Sequence, residues 1–344
     1  MKFPQYLLFM LLVCLFACKK QKKEDVLPPK EAVVEDTFVP KKQDFKVVGY
    51  IWSRASIVDD LAKVDFDKIT HLNIAFINPD PSTAIFADMP ALNTVVKTAH
   101  QKGVYIMLSC GGGSPQRYYT ELLRTKRPAL VKKFIDFVDK YKLDGIDVDL
   151  EGDDIDANYE AFITELRTPL TERKKLLTSA VAWWTRARVT DKALKAFDFI
   201  NIMAYDATGR WDLTNPGQHS TYAYAVQHLN YWHSQRGLDK KKLVLGVPFY
   251  GYGFGPLFNS NSSLSQMSWL TVQQNYSDWV NVDEIPFPNN GGTFYYNGKN
   301  TIKAKTELAV KDGGGIMIWQ LLYDSSNDHS LLTLIDKTYR EAKK

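Results

Sequence analysis

A dense group of acidic side chains lies near the middle of the chain, in the run Asp-Gly-Ile-Asp-Val-Asp-Leu-Glu at residues 144–151. Alternate residues of a β-strand share a face, so Asp147, Asp149 and Glu151 point one way and the apolar residues between them point the other. Three carboxyl groups on one buried face repel each other, so at least one keeps its proton near neutral pH. The run therefore predicts a general acid, with Glu151 at the end of the strand as the proton donor.

Two structural explanations of the acidic run are less consistent with the sequence. A solvated face would require an edge strand, and the apolar residues Ile146, Val148 and Leu150 argue against that position. A Ca²⁺ or Mg²⁺ site also uses carboxylates, but such sites spread their ligands around a loop. The run favours an acid of the kind that cleaves glycosidic bonds, a reaction that requires no metal and no organic cofactor.

From residue 46 onward, apolar runs rich in Val, Ile and Leu alternate with amphipathic helical segments. Strands are predicted at residues 46–52, 69–77, 104–109, 145–150, 176–182, 199–204, 243–250 and 315–319. Helices are predicted at residues 89–102, 128–142, 159–173, 221–236, 301–311 and 330–342. This alternation indicates an α/β fold, a (β/α)₈ TIM barrel, with a doubly wound open sheet as the competing architecture. A TIM barrel carries its active site at the carboxyl ends of its strands, which is where Glu151 falls.

The composition limits the classes of function. The chain has 344 residues, of which 45% are hydrophobic and 24% charged, as expected for a globular protein. The net charge is only +4 and much of the basic excess lies near the N-terminus, which argues against nucleic-acid binding. The glycine-rich runs 111–113 and 251–255 lack the spacing of nucleotide-binding loops. We expect one catalytic domain, residues 45–344, acting as a monomer.

The N-terminal segment has the pattern of an export signal. An apolar run over residues 6–17 follows a lysine and is shorter than the roughly 20 residues that cross a membrane. Ala17 before Cys18 resembles a bacterial lipobox, so residues 1–18 are predicted to be a lipoprotein signal peptide with Cys18 lipidated. The charged, Pro-containing residues 19–44 predict a flexible tether. We expect a lipoprotein anchored to a bacterial membrane on its periplasmic or cell-surface side; a cleaved secretory signal is the alternative.

The acidic run also resembles the signature of a known family. Residues 144–151 match the D-x-x-D-x-D-x-E pattern of glycoside hydrolase family 18, the chitinases and their relatives. Further segments resemble the family's motifs in the right order: Ser-Cys-Gly-Gly at 109–112, Met-Ala-Tyr-Asp at 203–206, Gly-Arg-Trp-Asp at 209–212, Gly-Val-Pro-Phe-Tyr-Gly at 246–251 and Gly-Ile-Met-Ile-Trp at 315–319. The resemblance extends over residues 46–344 and implies a glycosidase on a TIM barrel.

The resemblance also implies a mechanism, substrate-assisted retention. In this family the acetamido oxygen of the sugar attacks the anomeric carbon, in place of an enzyme nucleophile. By motif match, Glu151 would protonate the leaving oxygen and later activate water. Asp149 would orient the acetamido N–H, and Asp147 would share a proton with Asp149.

Other motif residues are implied to surround the sugar. Tyr205 would donate to the acetamido carbonyl, Asp206 would hold the distorted sugar, and Trp319 would form an apolar floor. Tyr205 and Trp319 could instead be core aromatics, but their places at strand ends favour function. The remaining predicted substrate-binding residues are Tyr50, Gly111, Gly112, Met203, Trp183, Trp211 and Tyr250, and further candidates for stacking on sugars are Trp52, Trp184 and Trp269.

Two departures from the family pattern leave the substrate open. Tyr252 stands where many relatives have Arg, and the segment 251–300 is too short for the full α+β insertion of deep-cleft relatives, which predicts an open groove. A chitinase and an endo-β-N-acetylglucosaminidase acting on the core of N-glycans would use the same catalytic residues. A non-catalytic sugar-binding lipoprotein is a third hypothesis, but the presence of Glu151 argues against it. We favour the chitinase.

Overall fold

The computed structural model of the protein describes residues 38–113, 118–258 and 262–344. The predicted signal peptide, the predicted lipidation site Cys18 and residues 19–37 of the predicted tether lie outside these ranges. Within them, no helix is both long enough and apolar enough to cross a lipid bilayer.

Eight parallel strands close into a barrel. They are β1 (Lys46–Ile51), β2 (His71–Ile74), β3 (Tyr105–Gly111), β4 (Gly145–Asp149), β5 (Leu176–Ala182), β6 (Phe199–Met203), β7 (Leu243–Pro248) and β12 (Gly315–Trp319), numbered along the chain together with four strands of an insertion. β12 pairs with both β7 and β1, which closes the sheet and leaves no edge. The predicted TIM barrel is confirmed.

Helices cover the outside of the barrel, except for α8 (Trp269–Asn275), which belongs to the insertion between β7 and β12. They are α1 (Ile57–Leu61), α2 (Ala91–Gln101), α3 (Tyr118–Thr125), α4 (Arg127–Tyr141), α5 (Tyr159–Glu172), α6 (Asp191–Ala196), α7 (Tyr222–Asn230), α8 (Trp269–Asn275), α9 (Lys299–Asp312) and α10 (Leu331–Ala342). In α4 the buried residues Leu130, Phe134 and Val138 are spaced four apart, so they form one apolar face. The predicted helix 221–236 is shorter than expected, because α7 ends at Asn230 and a π-helical turn continues through Gln235.

The alternation of side chains along β4 separates two layers. Ile146 and Val148 are fully buried in the large apolar core between the strands and the helices. Asp147 is also fully buried but lies inside the barrel, where it accepts hydrogen bonds from other strands. The apolar part of the barrel interior includes Val48, Ala180, Val244 and Met317. A period of two residues thus directs the acids inward and the apolar side chains toward the helices.

The chain between β7 and α9 forms a small sheet of its own. Its strands are β8 (Tyr250–Phe254), β9 (Gln266–Ser268), β10 (Glu284–Phe287) and β11 (Gly292–Tyr295), paired antiparallel in the order β10-β11-β8-β9. Residues 251–300, predicted to be too short for the full α+β insertion of deep-cleft relatives, include most of this four-stranded sheet and the helix α8. The predicted strand 243–250 is divided, since Pro248 ends β7 and Tyr250 begins β8.

Residues 38–44, placed by the sequence in the flexible tether, instead pack against the barrel. The Phe38 ring stacks on His100 with 4.2 Å between ring centroids. The Lys41 backbone N–H donates to the Gly103 carbonyl at 3.0 Å, and its ammonium donates to the Ile69 carbonyl at 2.8 Å. The predicted boundary at residue 44 is therefore too late, because an aromatic ring and a lysine secure this segment to the surface.

Candidate active site

The three acids of the β4 run extend from the barrel interior to its mouth. Asp147 is fully buried, Asp149 is 4% exposed, and Glu151, two residues beyond Asp149, is only partly buried. Their order follows from the strand geometry, since each step of two residues moves a side chain further along the same face. The acid closest to solvent is the one predicted to donate a proton.

Asp147 is held by four donors from other barrel strands. Its Oδ2 accepts from the hydroxyls of Tyr50 at 2.6 Å and Ser109 at 2.8 Å. Its Oδ1 accepts from the Thr178 hydroxyl at 2.6 Å and the Asn201 amide at 3.1 Å. Burial raises the pKa of Asp147, and these hydrogen bonds oppose the rise. The carboxyl group is fixed in place and acts on the next acid of the row through its charge.

Asp149 has the opposite environment. Its Oδ1 is buried and has no hydrogen-bond partner among the described residues. Burial raises the pKa of Asp149 well above its usual range, and repulsion from Glu151 and then Asp147 adds to the rise. A buried polar oxygen without a partner is costly in a folded protein and calls for a functional explanation. The vacant acceptor position on Asp149 is suited to a donor on a bound ligand.

Glu151 has the titration behaviour of a general acid. Burial, and next the charge of Asp206, raise the pKa of Glu151 to about 7. A carboxyl group with such a pKa is protonated in a large fraction of molecules at neutral pH and can still give up its proton. The carboxyl therefore suits a cycle in which it first donates a proton and then accepts one.

Asp206 lies just beyond the end of β6, which is separated from β4 only by β5 in the barrel. Its backbone has a positive φ of 61°, an unusual conformation for a residue with a side chain. Its Oδ1 accepts from the Tyr250 hydroxyl at 2.6 Å and lies 3.3 Å from Nδ1 of His219. These contacts fix the carboxylate at the rim of the cavity that contains Glu151.

A cavity of about 540 Å³ opens at the barrel mouth. It is lined by Gly113, Glu151, Gly152, Trp184, Met203, Asp206, Ala207 and Trp211. Trp211 is 60% exposed and Trp184 is 47% exposed, so two large aromatic rings are accessible next to the acids. Tyr252, the departure from the family pattern, is buried and supports Trp211 edge to face at 5.4 Å. Across the described ranges, no group of three or more His, Cys, Asp or Glu side chains is arranged to hold a metal ion.

Aromatic side chains lie next to the acids on the barrel-interior side of this site. The Trp319 ring stacks on Phe76 and lies near Tyr50, with 5.6 Å between centroids in both pairs. Tyr205 is buried, and its hydroxyl has as its only hydrogen-bond partner among the described residues the Met317 sulfur, at 3.7 Å. Sulfur is a weak acceptor, so the Tyr205 hydroxyl can donate to a ligand at little cost.

Two glycines allow β3 to approach the acidic row closely. Gly111 has a φ of +99°, and a Cβ there would lie 2.2 Å from the backbone oxygen of Asp149. Gly112 has a φ of +109°, its N–H donates to the same oxygen at 2.9 Å, and a Cβ would lie 2.7 Å from the Phe76 ring. Both glycines were predicted to contact substrate. The contacts in the structure give them a positioning role, because the absence of a side chain lets β3 pack closely against β4 and Phe76.

Trp183 does not line the cavity that contains Glu151. It lines another cavity, and the Arg186 guanidinium lies 3.9 Å from the centroid of its ring. The neighbouring Trp184 lines the cavity with Glu151 instead. β5 ends at Ala182 and both tryptophans lie in the turn that follows, which directs their rings to different cavities. Trp183 therefore lies outside the cavity that contains Glu151, and its predicted contact with substrate stays a prediction.

Three other predicted contact residues have structural partners. The hydroxyls of Tyr50 and Tyr250 bond to Asp147 and Asp206, so both tyrosines position carboxylates. Trp269 is 1% exposed, and its indole N–H donates to the His329 carbonyl at 2.8 Å, which makes it a core residue.

His219 contributes to the site although the sequence did not indicate it. It is fully buried, and its Nδ1 contacts Asp206, 13 positions earlier in the chain. Its Nε2 has no hydrogen-bond partner within the described part of the chain. No local pattern marks this residue, because the loop after β6 folds back to bring it beneath Asp206.

Comparisons with known proteins agree with this geometry. The model of glycosyl hydrolases family 18 matches residues 46–324. The crystal structure of the GH18 chitinase ChiB from the chitin utilization locus of Flavobacterium johnsoniae is 38% identical, with a TM-score of 0.78, and the match covers 87% of this chain and 94% of that one. A crystal structure of a chitinase from Bacteroides thetaiotaomicron is 27% identical with a TM-score of 0.75, covering 87% of this chain and 97% of that one.

Among curated proteins, a chitinase-like effector of Moniliophthora roreri is 32% identical over 225 residues, which is 56% of this chain and 55% of that protein. The chain thus spans about half the length of this relative. The family match, in contrast, runs from β1 through β12 and includes the whole acidic row. The chain therefore belongs to family 18 of the glycosyl hydrolases.

Proposed function

We propose that the protein is a retaining glycosidase that hydrolyses β-1,4 bonds of N-acetylglucosamine polymers or oligomers by substrate-assisted catalysis. One observation carries the proposal. Asp149 offers a buried acceptor oxygen without a partner, and Tyr205 offers a buried donor whose only described partner is a sulfur atom. Burial, and next the charge of the Asp149 carboxylate, raise the pKa of the Tyr205 hydroxyl, as expected when the two groups lie close together. An acetamido group has one N–H and one carbonyl, which match this acceptor and this donor.

The reaction then requires one enzyme acid and no enzyme nucleophile. Glu151 donates its proton to the glycosidic oxygen as the bond from that oxygen to the anomeric carbon breaks. The acetamido oxygen forms a bond to the same carbon, which gives a cyclic intermediate. Asp149 accepts a hydrogen bond from the acetamido N–H and balances the positive charge of that intermediate. Water next attacks the anomeric carbon, the cyclic bond opens, and Glu151 takes up the water proton. Two inversions at the anomeric carbon give retention.

Chitin-like substrates are favoured over the core of N-glycans. The exposed rings of Trp184 and Trp211 lie beside Glu151 and can each stack on a sugar of a linear chain. The GH18 chitinase similar to this chain comes from a chitin utilization locus. An endo-β-N-acetylglucosaminidase remains the second candidate, because its substrate presents the same acetamido group to the same residues.

Product analysis separates these candidates. The full chain is incubated with chito-oligosaccharides and, separately, with a high-mannose glycoprotein, and new reducing ends are measured. We expect cleavage of the chito-oligosaccharides with retention of the β-anomer, visible by NMR before mutarotation. Cleavage of the glycoprotein alone would identify the second candidate, and cleavage of neither would refute both.

The pH dependence of the reaction should follow Glu151. The acid must be protonated when it meets the substrate, so kcat/KM should fall as the pH rises through about 7, the pKa of this carboxyl. Asp206 is the second cause of the raised pKa, after burial. Asp206→Asn removes that negative charge while Asp149 and Asp147 remain. In this variant the fall of kcat/KM at high pH should therefore occur at a lower pH than in the wild type. If kcat/KM of this variant falls at the same pH as in the wild type, the assignment of this fall to Glu151 is contradicted.

Export and membrane anchoring through Cys18 belong to the proposal as well. The support is the lysine at position 2, the apolar run 6–17 and the Leu-Phe-Ala-Cys sequence at 15–18. Metabolic labelling with a fatty acid should mark the wild-type chain and not Cys18→Ala; equal labelling of both would refute lipidation at this position.

A further inference from the structure

A second cavity, of about 550 Å³, lies beside the loop after β5 and the helix α7. It is lined by Trp183, Arg186, Ala223, Val226, Gln227, Asn230, Tyr231 and Gln235. It shares no lining residue with the cavity that contains Glu151. The predicted function of the barrel leaves this cavity and its tryptophan unexplained.

The cavity contains an arginine that lacks an acidic partner. The Arg186 guanidinium lies 3.9 Å from the centroid of the Trp183 ring and 5.6 Å from that of Tyr231. One of its nitrogens donates to the Trp183 carbonyl at 2.5 Å. No carboxylate of the described residues forms an ion pair with it, in contrast to Arg236, which pairs with Asp191. Stacking holds the planar group in place and leaves further N–H donors available to a ligand.

Three amide side chains accompany this arginine. Gln227 and Asn230 are exposed on α7, and their spacing of three residues places them on one face of the helix. Gln235 is exposed in the π-helical turn that follows. Each amide offers both a donor and an acceptor. Beneath them His228 is buried and uncharged at neutral pH, because burial lowers its pKa to about 3.

This chemistry fits a neutral glycan better than an anion. Hydroxyl and acetamido groups donate and accept, so they can satisfy both ends of each amide. An ionised carboxylate or sulfate only accepts, so it can pair with Arg186 but makes no hydrogen bond to the amide oxygens. Trp183 and Tyr231 also line the cavity, so a bound sugar ring can make apolar contacts with them.

The second cavity lies near the mouth of the barrel. Tyr224 contacts the Trp183 ring edge to face, with 6.1 Å between centroids. Trp183 directly follows β5, and the next residue, Trp184, lines the cavity that contains Glu151 and Asp206. A chain bound at Arg186 would therefore be held close to the rim that carries Asp206.

We propose that the cavity of Trp183, Arg186, Gln227 and Asn230 is a second carbohydrate-binding site, which holds a neutral N-acetylglucosamine-containing chain outside the catalytic cavity. The choice of sugar rests on the proposed function. The site keeps an insoluble polymer on the enzyme, and it is not needed for short soluble substrates that the catalytic cavity binds alone.

The test uses the double variant Arg186→Ala/Gln227→Ala in the full chain. Its matched control is Asn93→Ala/Arg340→Ala, which removes an exposed amide and an exposed arginine on α2 and α10. Adsorption to chitin particles is measured at several protein concentrations, and turnover is measured on a soluble chito-tetraose. Thermal unfolding of all chains checks that the replacements leave the fold intact.

We expect the double variant to adsorb about tenfold more weakly, or about 1.4 kcal/mol, while its turnover of the tetraose stays unchanged. The control variant should adsorb like the wild type. Equal adsorption of all three chains, or no adsorption of the wild type, would overturn the proposal. The proposal would also be overturned if the protein bound a sulfated polysaccharide through Arg186 in preference to chitin.

The two proposals fail in different ways. A wild type that adsorbs through Arg186 and Gln227 but cleaves no chito-oligosaccharide would refute the catalytic function and retain the second site. A wild type that cleaves the tetraose but adsorbs independently of Arg186 and Gln227 would refute the second site and retain the catalytic function.

Discussion

Glu151→Gln is expected to lower kcat on chito-oligosaccharides by about 10²–10⁴-fold, the usual contribution of a general acid and base. The amide has nearly the same size as the carboxyl group but cannot donate the proton that the leaving oxygen requires. Binding should be retained, because the exposed rings of Trp184 and Trp211 are unaffected. Initial rates give the loss, and calorimetric titration of the inactive variant with the same oligosaccharide gives the affinity.

The stability of this variant provides its control. The pKa of Glu151 in the folded protein is about 7, above its ordinary value of 4.5. The folded state therefore binds this proton more tightly than the unfolded state, and stability decreases as the pH rises from about 4.5 to about 7. Glu151→Gln lacks this decrease, so its melting temperature at pH 8 should equal or exceed that of the wild type. Full activity of a folded Gln variant would refute Glu151 as the acid.

Asp149→Asn is expected to lower kcat on the order of 10²–10³-fold, comparable to the loss of one preorganised electrostatic contact in an active site. Asp149 is proposed to accept the acetamido N–H and to balance positive charge on the cyclic intermediate. An asparagine there carries no charge, and it can present an N–H where an acceptor is needed. The measurement is kcat on a chito-oligosaccharide that saturates the wild type.

A matched replacement separates this effect from a general loss of acidic charge. Asp153 lies two residues after Glu151 and its side chain is 95% exposed, so Asp153→Asn should retain nearly full activity. A thiazoline analogue of N-acetylglucosamine oligomers mimics the cyclic intermediate and should bind wild type more tightly than Asp149→Asn. Equal binding to both chains, or no inhibition of wild type, would contradict substrate assistance. The non-catalytic hypothesis predicts that neither variant differs from wild type in the assay, because no turnover would be seen.

Much of the site follows from the sequence because its signal is local. Asp147, Asp149 and Glu151 are two residues apart, and the period of a strand directs them to one face before any tertiary contact is known. Their place on the fourth of eight alternating strands then puts Glu151 at the mouth of a barrel. The acidic row and the barrel were predicted for these reasons, and the family match covers both.

Tertiary structure decided the features that depend on contacts between distant segments. Trp183 and Trp184 are adjacent and chemically identical, and the direction of the loop after β5 determines which of them lines the cavity with Glu151. Tyr250 holds Asp206 across 44 positions of the chain, and His219 contacts it from a loop that carries no recognisable pattern. The sequence by itself determined which groups can perform the chemistry, because residue type and strand period are local properties. Only the folded chain determined which groups fix those carboxylates and which tryptophan faces them, since that depends on how each loop returns to the barrel.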